Sequence, residues 1–252
     1  MDSKRNANGT DEQKQRIIPS IAKGEMSICI GYSEPNTGSD LASLQTRAVE
    51  DGDDFIINGT KIWTSGAHRA DHIMVLTRTD PDAPKHRGIS FLLCDMNTPG
   101  LTVNPIINMA GDHSFNMVTF DNVRVPKKNL VGEQNRGWYV GATLLDFERS
   151  GVDYSAGSRR VLEELVEYSK ENYKDGKLLS EDEVTRNRLA DLAIEIEVSR
   201  LISYNIAWMQ GAGLVPNKES SMGKVFGTEL QQHVGSTGMQ MLGLHSQLEP
   251  DS

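Results

Sequence analysis

A chain of 252 residues, 37% hydrophobic and 24% charged, is long enough to bury one large core or two ordinary ones, as a soluble globular protein does. A net charge of -9 argues against nucleic acid as the main partner, because such a face needs an excess of Lys and Arg. Two cysteines, Cys29 and Cys94, both in apolar strand-like runs, argue against a disulfide framework, and the six histidines show no metal-ligand spacing.

The opening MDSKRNANGTDEQKQR has neither a signal-peptide core nor a spanning run of about 20 apolar residues, so a cytoplasmic protein with no membrane partner is expected. Residues 11–24 read as the remnant of a helix that Pro19 kinks or ends. From Ser27 to about Pro126 the pattern is β. Roughly eight short strands alternate with turns such as Asp51-Gly52, Asn58-Gly59 and Thr98-Pro99-Gly100, which predicts a small antiparallel barrel or sandwich.

From about Glu133 the apolar period shifts toward 3.6, through Val140, Leu144, Phe147, Val152, Val161, Leu162 and Leu165. This predicts a first long helix over the stretch GWYVGATLL to VEYSKEN. A second opens at the capping box Ser180-Glu181-Asp182-Glu183, and a third, rich in small residues, covers KESSMGKVFGTELQQHVGSTGMQMLG. The chain therefore reads as an α+β protein. Residues 1–25 are the remnant of a helical domain, 26–130 a middle β domain and 131–252 an incomplete helical bundle, with both ends looking cut.

Three stretches bear on chemistry. Tyr32-Ser33-Glu34-Pro35-Asn36-Thr37-Gly38-Ser39-Asp40 ends a strand with hydroxyls and a flexible turn; it is either an ordinary turn or a cradle for an acceptor-rich ligand. Lys61-Ile62-Trp63-Thr64-Ser65-Gly66 offers a tryptophan either to the core or to a flat heterocycle whose rim a hydroxyl bonds. Asp146-Phe147-Glu148-Arg149 sets carboxylates in an apolar helix, either paired with neighbours or poised as a general base beside a cation that binds an anion or amide.

In their order and spacing these stretches, with Phe120-Asp121-Asn122-Val123-Arg124-Val125-Pro126, resemble the acyl-CoA dehydrogenase family from near Asp11 to Gly243. The first stretch is similar to the family's Thr-Glu-Pro-x-x-Gly-Ser-Asp, and Ile57 to Ser65 to its Asn-Gly-x-Lys-x-Trp-Ile-Thr. The resemblance implies α,β-desaturation of an acyl-CoA thioester with FAD as cofactor and an electron-transfer flavoprotein as acceptor. It implies that residues 30–39, among them Ile30, Tyr32, Ser33, Gly38 and Ser39, hold FAD. Ser33 would lie near the ring edge, and Ser39 would touch the pyrophosphate or the CoA portion. Trp63, Thr64 and Ser65 would flank the flavin ring, Asp146 and Arg149 would contact substrate, and Glu148 stands at one of the family's two base positions.

Two departures point to a bacterial branch of the family, some of whose members pair unlike subunits and act on bulky or steroid-derived acyl-CoAs. Asn172-Tyr173-Lys174-Asp175-Gly176 stands where the family commonly has Arg-x-Thr-Phe-Gly, and Gly243-Leu244-His245-Ser246-Gln247-Leu248 where it has Gly-Gly-x-Gly-Tyr. A homo- or hetero-oligomer is expected. A non-catalytic partner subunit, or a flavin oxidase or monooxygenase on the same scaffold, are the alternative readings.

Overall fold

The computed structural model of the protein describes residues 8–148 and 151–248; the side chains of Asp146, Phe147 and Glu148 lie outside the description. The chain divides into two compact units, Met1–Thr143 and Leu144–Ser252.

The first unit opens with helix α1, Asp11–Ala22. Its capping box is complete: the Gln13 amide donates to the Thr10 hydroxyl at 3.2 Å, and the Thr10 amide to the Gln13 side chain at 3.0 Å. Gln13 also donates to the carbonyls of Lys128 and Leu130, each at 2.8 Å, which ties α1 to the chain leaving the sheet. Pro19 does not end the helix. It lies inside it, and the last turn closes beyond it through the bonds from Lys23 to the Pro19 carbonyl and from Glu25 to the Ser20 carbonyl.

Seven strands follow, namely β1 Ile28–Gly31, β2 Arg47–Asp51, β3 Asp54–Lys61, β4 His72–Arg78, β5 Ile89–Asp95, β6 Leu101–Ile107 and β7 His113–Pro126. They form one sheet in the order β1-β4-β2-β3-β7-β6, with β5 also on β4. Most pairs are antiparallel as expected, but β1 runs parallel to β4, from Ile28 opposite His72 to Gly31 opposite Val75, so the sheet is mixed. Alternation of apolar residues reports which face a side chain takes, not the direction of its neighbour strand. The core gathers Phe55, Ile57, Ile73, Val75, Leu92, Val118, Val123 and Val125. β6, at the end of the order, accommodates Pro105, which donates no ladder bond.

Helix α2, Gly137–Glu148, leaves the sheet. The second unit contains α3 Val152–Glu171, α4 Glu183–Gly211 and α5 Asn217–Leu242. The single first helix expected from the period is two, because Gly151 takes a left-handed φ of 75° at the start of α3. The cap of α4 is Asp182, whose carboxylate accepts from the Thr185 amide at 2.9 Å, rather than Ser180, which sits in a 3-10 turn. Between α3 and α4, β8 Tyr173–Lys174 and β9 Lys177–Leu178 make a hairpin around Asp175 and Gly176, both at positive φ as so tight a loop requires. The three helices share an apolar cluster of Leu162, Leu165, Leu189, Leu192, Ile196, Leu230 and Val234. They meet closely where a Cβ on Gly227 would fall 2.6 Å from the Tyr154 ring.

Candidate functional site

The β unit brings two of the three sequence stretches together. The Ile62 amide donates to the Ser33 carbonyl at 2.9 Å, so the chain leaving β1 lies beside the chain leaving β3. Beneath that contact is a buried ion pair. Lys61 is 0% exposed, and its Nζ reaches Glu34 Oε1 at 2.9 Å and the Tyr32 carbonyl at 3.1 Å. The Glu34 carboxylate also accepts the amides of Gln45 at 2.7 Å and Thr46 at 2.8 Å. Four hydrogen bonds from three donor groups therefore surround the pair, leaving neither charge uncompensated.

Burial pushes the Lys61 ammonium down to about 8 against the pull of Glu34. For Glu34 burial acts upward, but Lys61 and the hydrogen bonds around the carboxylate outweigh it and hold the group below its ordinary value. Nothing in the sequence gives either residue a role, although Glu34 lies in the stretch 32–40 and Lys61 in the stretch 61–66. A Glu and a Lys 27 positions apart give no sign that they meet.

The ion pair supports an unusual turn. Trp63 has φ 60°, a left-handed conformation that costs an aromatic residue about 1–3 kcal/mol. Its neighbours hold it there: Ile62 is bonded to Ser33, the Thr64 amide donates to the Asn116 carbonyl at 3.0 Å, and the Gly66 amide donates to the Ser114 carbonyl at 3.1 Å. The ring is 56% exposed and meets Phe115 edge-on at 5.9 Å, so the core reading of this tryptophan is overturned. Thr64, by contrast, is buried, and its hydroxyl has no hydrogen-bond partner among the described residues.

The remaining expected residues divide by exposure. Ile30, Gly38, Ser39 and Ser65 are exposed and Ser33 is half-buried. Tyr32 is buried: its hydroxyl donates to the Gly141 carbonyl at 3.2 Å and its ring meets Phe91 edge-on. Glu34 and Thr37 exchange backbone bonds of 2.7 and 3.0 Å around Pro35 and Asn36, and this tight turn presents Gly38. A Cβ at Gly38 would meet nothing within 4 Å, so the chain itself leaves that space open. The side chains of Asp146 and Glu148, and the whole of Arg149, lie outside the described residues.

The residues present have the chemistry a flavin needs. An exposed aromatic ring held in a strained conformation, exposed hydroxyls at Ser39 and Ser65, an unpartnered hydroxyl at Thr64 and open space over Gly38 suit a flat, acceptor-rich ligand. Among the described residues no group of three or more His, Cys, Asp or Glu side chains could hold a metal ion, and no helix is long and apolar enough to cross a membrane.

Comparison with known proteins finds one family along both units. Residues 29–123 match the acyl-CoA dehydrogenase middle domain, and residues 135–251 match the acyl-CoA dehydrogenase C-terminal domain. The acyl-CoA dehydrogenase FadE26 of Mycobacterium tuberculosis is 40% identical over 255 residues, covering 98% of this chain and 63% of its own length. Among solved structures, the ChsE4-ChsE5 complex from the same organism is similar with a TM-score of 0.88 and 39% identity, covering 98% of this chain and 64% of that one. The Tcur3481-Tcur3483 steroid ACAD is similar with a TM-score of 0.88 and 36% identity, covering 97% and 62%. The chain thus spans about 63% of the length of such relatives. The half-exposed turn at Trp63, the buried pair beneath it and the matches along both units lead to one assignment: the chain belongs to the acyl-CoA dehydrogenase family.

Proposed function

We propose that this chain carries the flavin-lining and substrate-lining parts of an FAD-dependent acyl-CoA dehydrogenase. The observation that supports this most is the exposed, left-handed Trp63, pinned between Ser33 and Asn116 above a buried ion pair. When bound, FAD supplies the hydride acceptor for an α,β-desaturation. Residues 30–39, with Trp63, Thr64 and Ser65, hold and orient it; the Trp63 ring shields one side from water, and the hydroxyls supply hydrogen bonds at the rim.

Glu148, on α2, takes the α proton of the thioester on its carboxylate. Arg149 and Asp146 position the substrate, the cation through its anionic or carbonyl oxygens and the carboxylate as a hydrogen-bond acceptor. An electron-transfer flavoprotein accepts the electrons afterwards. The likeness to a steroid ACAD and to a complex of two named subunits supports a bulky acyl group and a heteromeric assembly.

The test is anaerobic absorbance of the flavin-supplemented chain before and after saturated acyl-CoAs from short to steroid-sized. The expected result is bleaching by one class, and Glu148→Gln should lower the rate of bleaching by about two orders of magnitude or more while flavin stays bound. An unchanged rate in that variant removes Glu148 as base. A second reading, a non-catalytic partner subunit, rests on the Tyr173 to Leu178 hairpin, which occupies the place of the family's Arg-x-Thr-Phe-Gly. Co-purification with an unlike dehydrogenase subunit, and no retained flavin, would select it.

A further inference from the structure

Behind the Trp63 turn lies a cluster of polar side chains. Asn116, on β7, is fully buried and grips Thr64 at both ends: its carbonyl accepts the Thr64 amide at 3.0 Å, and its Nδ2 donates to the Thr64 carbonyl at 3.0 Å. The same Nδ2 lies 3.2 Å from His68 Nδ1, and Asn116 Oδ1 lies 2.8 Å from His113 Nε2. The two imidazoles stack with centroids 3.9 Å apart and planes 22° from parallel. They line one side of a cavity of about 310 Å³ whose other walls are Ala67, Ala70, Met96, Asn97, Val103 and Pro105.

The hydrogen bonds fix one another in sequence. The Thr64 carbonyl can only accept, so the Asn116 amide must turn its Nδ2 toward it. The second hydrogen of Nδ2 then points at His68, whose Nδ1 must be an unprotonated acceptor, and Oδ1 must receive the Nε2–H of His113. His113 keeps that donor whether neutral or charged. His68 does not have this freedom, because adding its second proton at Nδ1 sets N–H against N–H and removes the bond.

We propose that Asn116 is a positioning residue that holds the Trp63–Thr64 turn in its left-handed form, and that neutral His68 is the switch that keeps it there. Protonation of His68 breaks its bond to Asn116, loosens the grip on Thr64 and relaxes the turn. The charged or titratable groups that bear on His68 are His113 across the stack and Arg69 beside it; the remaining cavity walls are uncharged. Burial first, then His113 and Arg69, lower the proton affinity of His68. A histidine lowered in the folded state binds its proton more readily unfolded. Its support of the turn is therefore complete above about pH 6.5 and is lost as the pH falls through its folded value.

What the turn is for rests on the flavin reading above, but the switch itself can be read without a ligand. With Trp138→Phe and Trp208→Phe, Trp63 becomes the only tryptophan and reports the turn by its emission. The expected result is emission that is constant above about pH 6.5 and changes in one step below it. His68→Asn, which offers an untitratable acceptor in the place of Nδ1, should abolish the step. In the otherwise natural chain the FAD dissociation constant should rise about tenfold from about pH 7.5 to about pH 5.5, and should not rise in His68→Asn. Asn116→Ala should weaken FAD about tenfold even at the higher pH. An identical emission step in His68→Asn, or none in its parent, overturns the proposal. A chain that binds no FAD at any pH defeats the flavin reading alone, and the emission titration then decides the switch.

Discussion

The two units bury different things. In the β unit the interior is large and apolar, built from strands such as β5 whose first six residues are all buried, with one ion pair set into it. In the helical unit many buried positions are small: Ser155, Ser158, Ser169, Ser199, Ser203 and Ser220 are buried alongside Gly223 and Gly227. Large apolar side chains, Leu201, Trp208, Met222 and Val225 among them, are instead exposed on α4 and α5. The β unit is stabilised by volume and therefore fixes its surface turns firmly. The helical unit is stabilised by close approach of backbones, which works only while its small residues stay small.

The sharpest way to break the comparison is at the ion pair. Glu34→Gln leaves the Lys61 ammonium buried without a countercharge and should cost about 3–5 kcal/mol in chemical denaturation, against a few tenths for removing an exposed pair such as Arg160–Glu164. A loss under about 1 kcal/mol would mean the pair is not sealed from water.

Next comes the helical unit. Gly227→Ala sets a methyl group 2.6–2.9 Å from Cδ2, Cγ and Cβ of Tyr154, atoms close to the backbone that cannot simply swing aside. The expected cost is about 1–3 kcal/mol, and it should be recovered in part by Tyr154→Leu. A neutral Gly227→Ala would show that the helices have slack.

Acid titration separates the units more gently. Glu34 has a lowered folded value, so its contribution is complete above its ordinary value of 4.5 and is lost as the pH falls through the folded one; Glu34→Ala should be less sensitive to acid over that range. The smallest effect is expected at Trp208, 65% exposed, where Trp208→Gln should change the stability of the isolated chain by no more than about 0.5 kcal/mol. A larger loss under conditions where copies or partners associate would mark that face as a contact surface.

Much of this organisation is legible in the sequence because it is local. The Gly, Asn and Asp turns, the strand alternation and the periodicity of α4 and α5 all declare themselves within a dozen residues. What escapes is set across the chain. The parallel pairing of β1 with β4 joins segments some 40 positions apart, and Glu34 with Lys61 looks like two surface charges until the strands are placed. The break at Gly151 interrupts an apolar period that reads straight through it. The exposure of Trp63 is legible only in part: residue type leaves a core and a ligand-facing position both open, and the left-handed turn that forces the ring outward is held by bonds to distant segments. Asn116 is the hardest case. It sits three positions from His113 on one strand, a spacing with no meaning until His68 arrives from another segment.

The buried pair between Glu34 and Lys61 also limits how such a chain can change over generations. To exchange both charges for apolar residues, one must be lost first, and either intermediate carries a lone charge in the interior together with amides at Gln45 and Thr46 that have lost an acceptor, or a carboxylate without its cation. Each single step lowers stability before the second can restore it. The two positions are therefore coupled in this fold: either can be exchanged only together with the other, whereas the exposed residues around them can change singly.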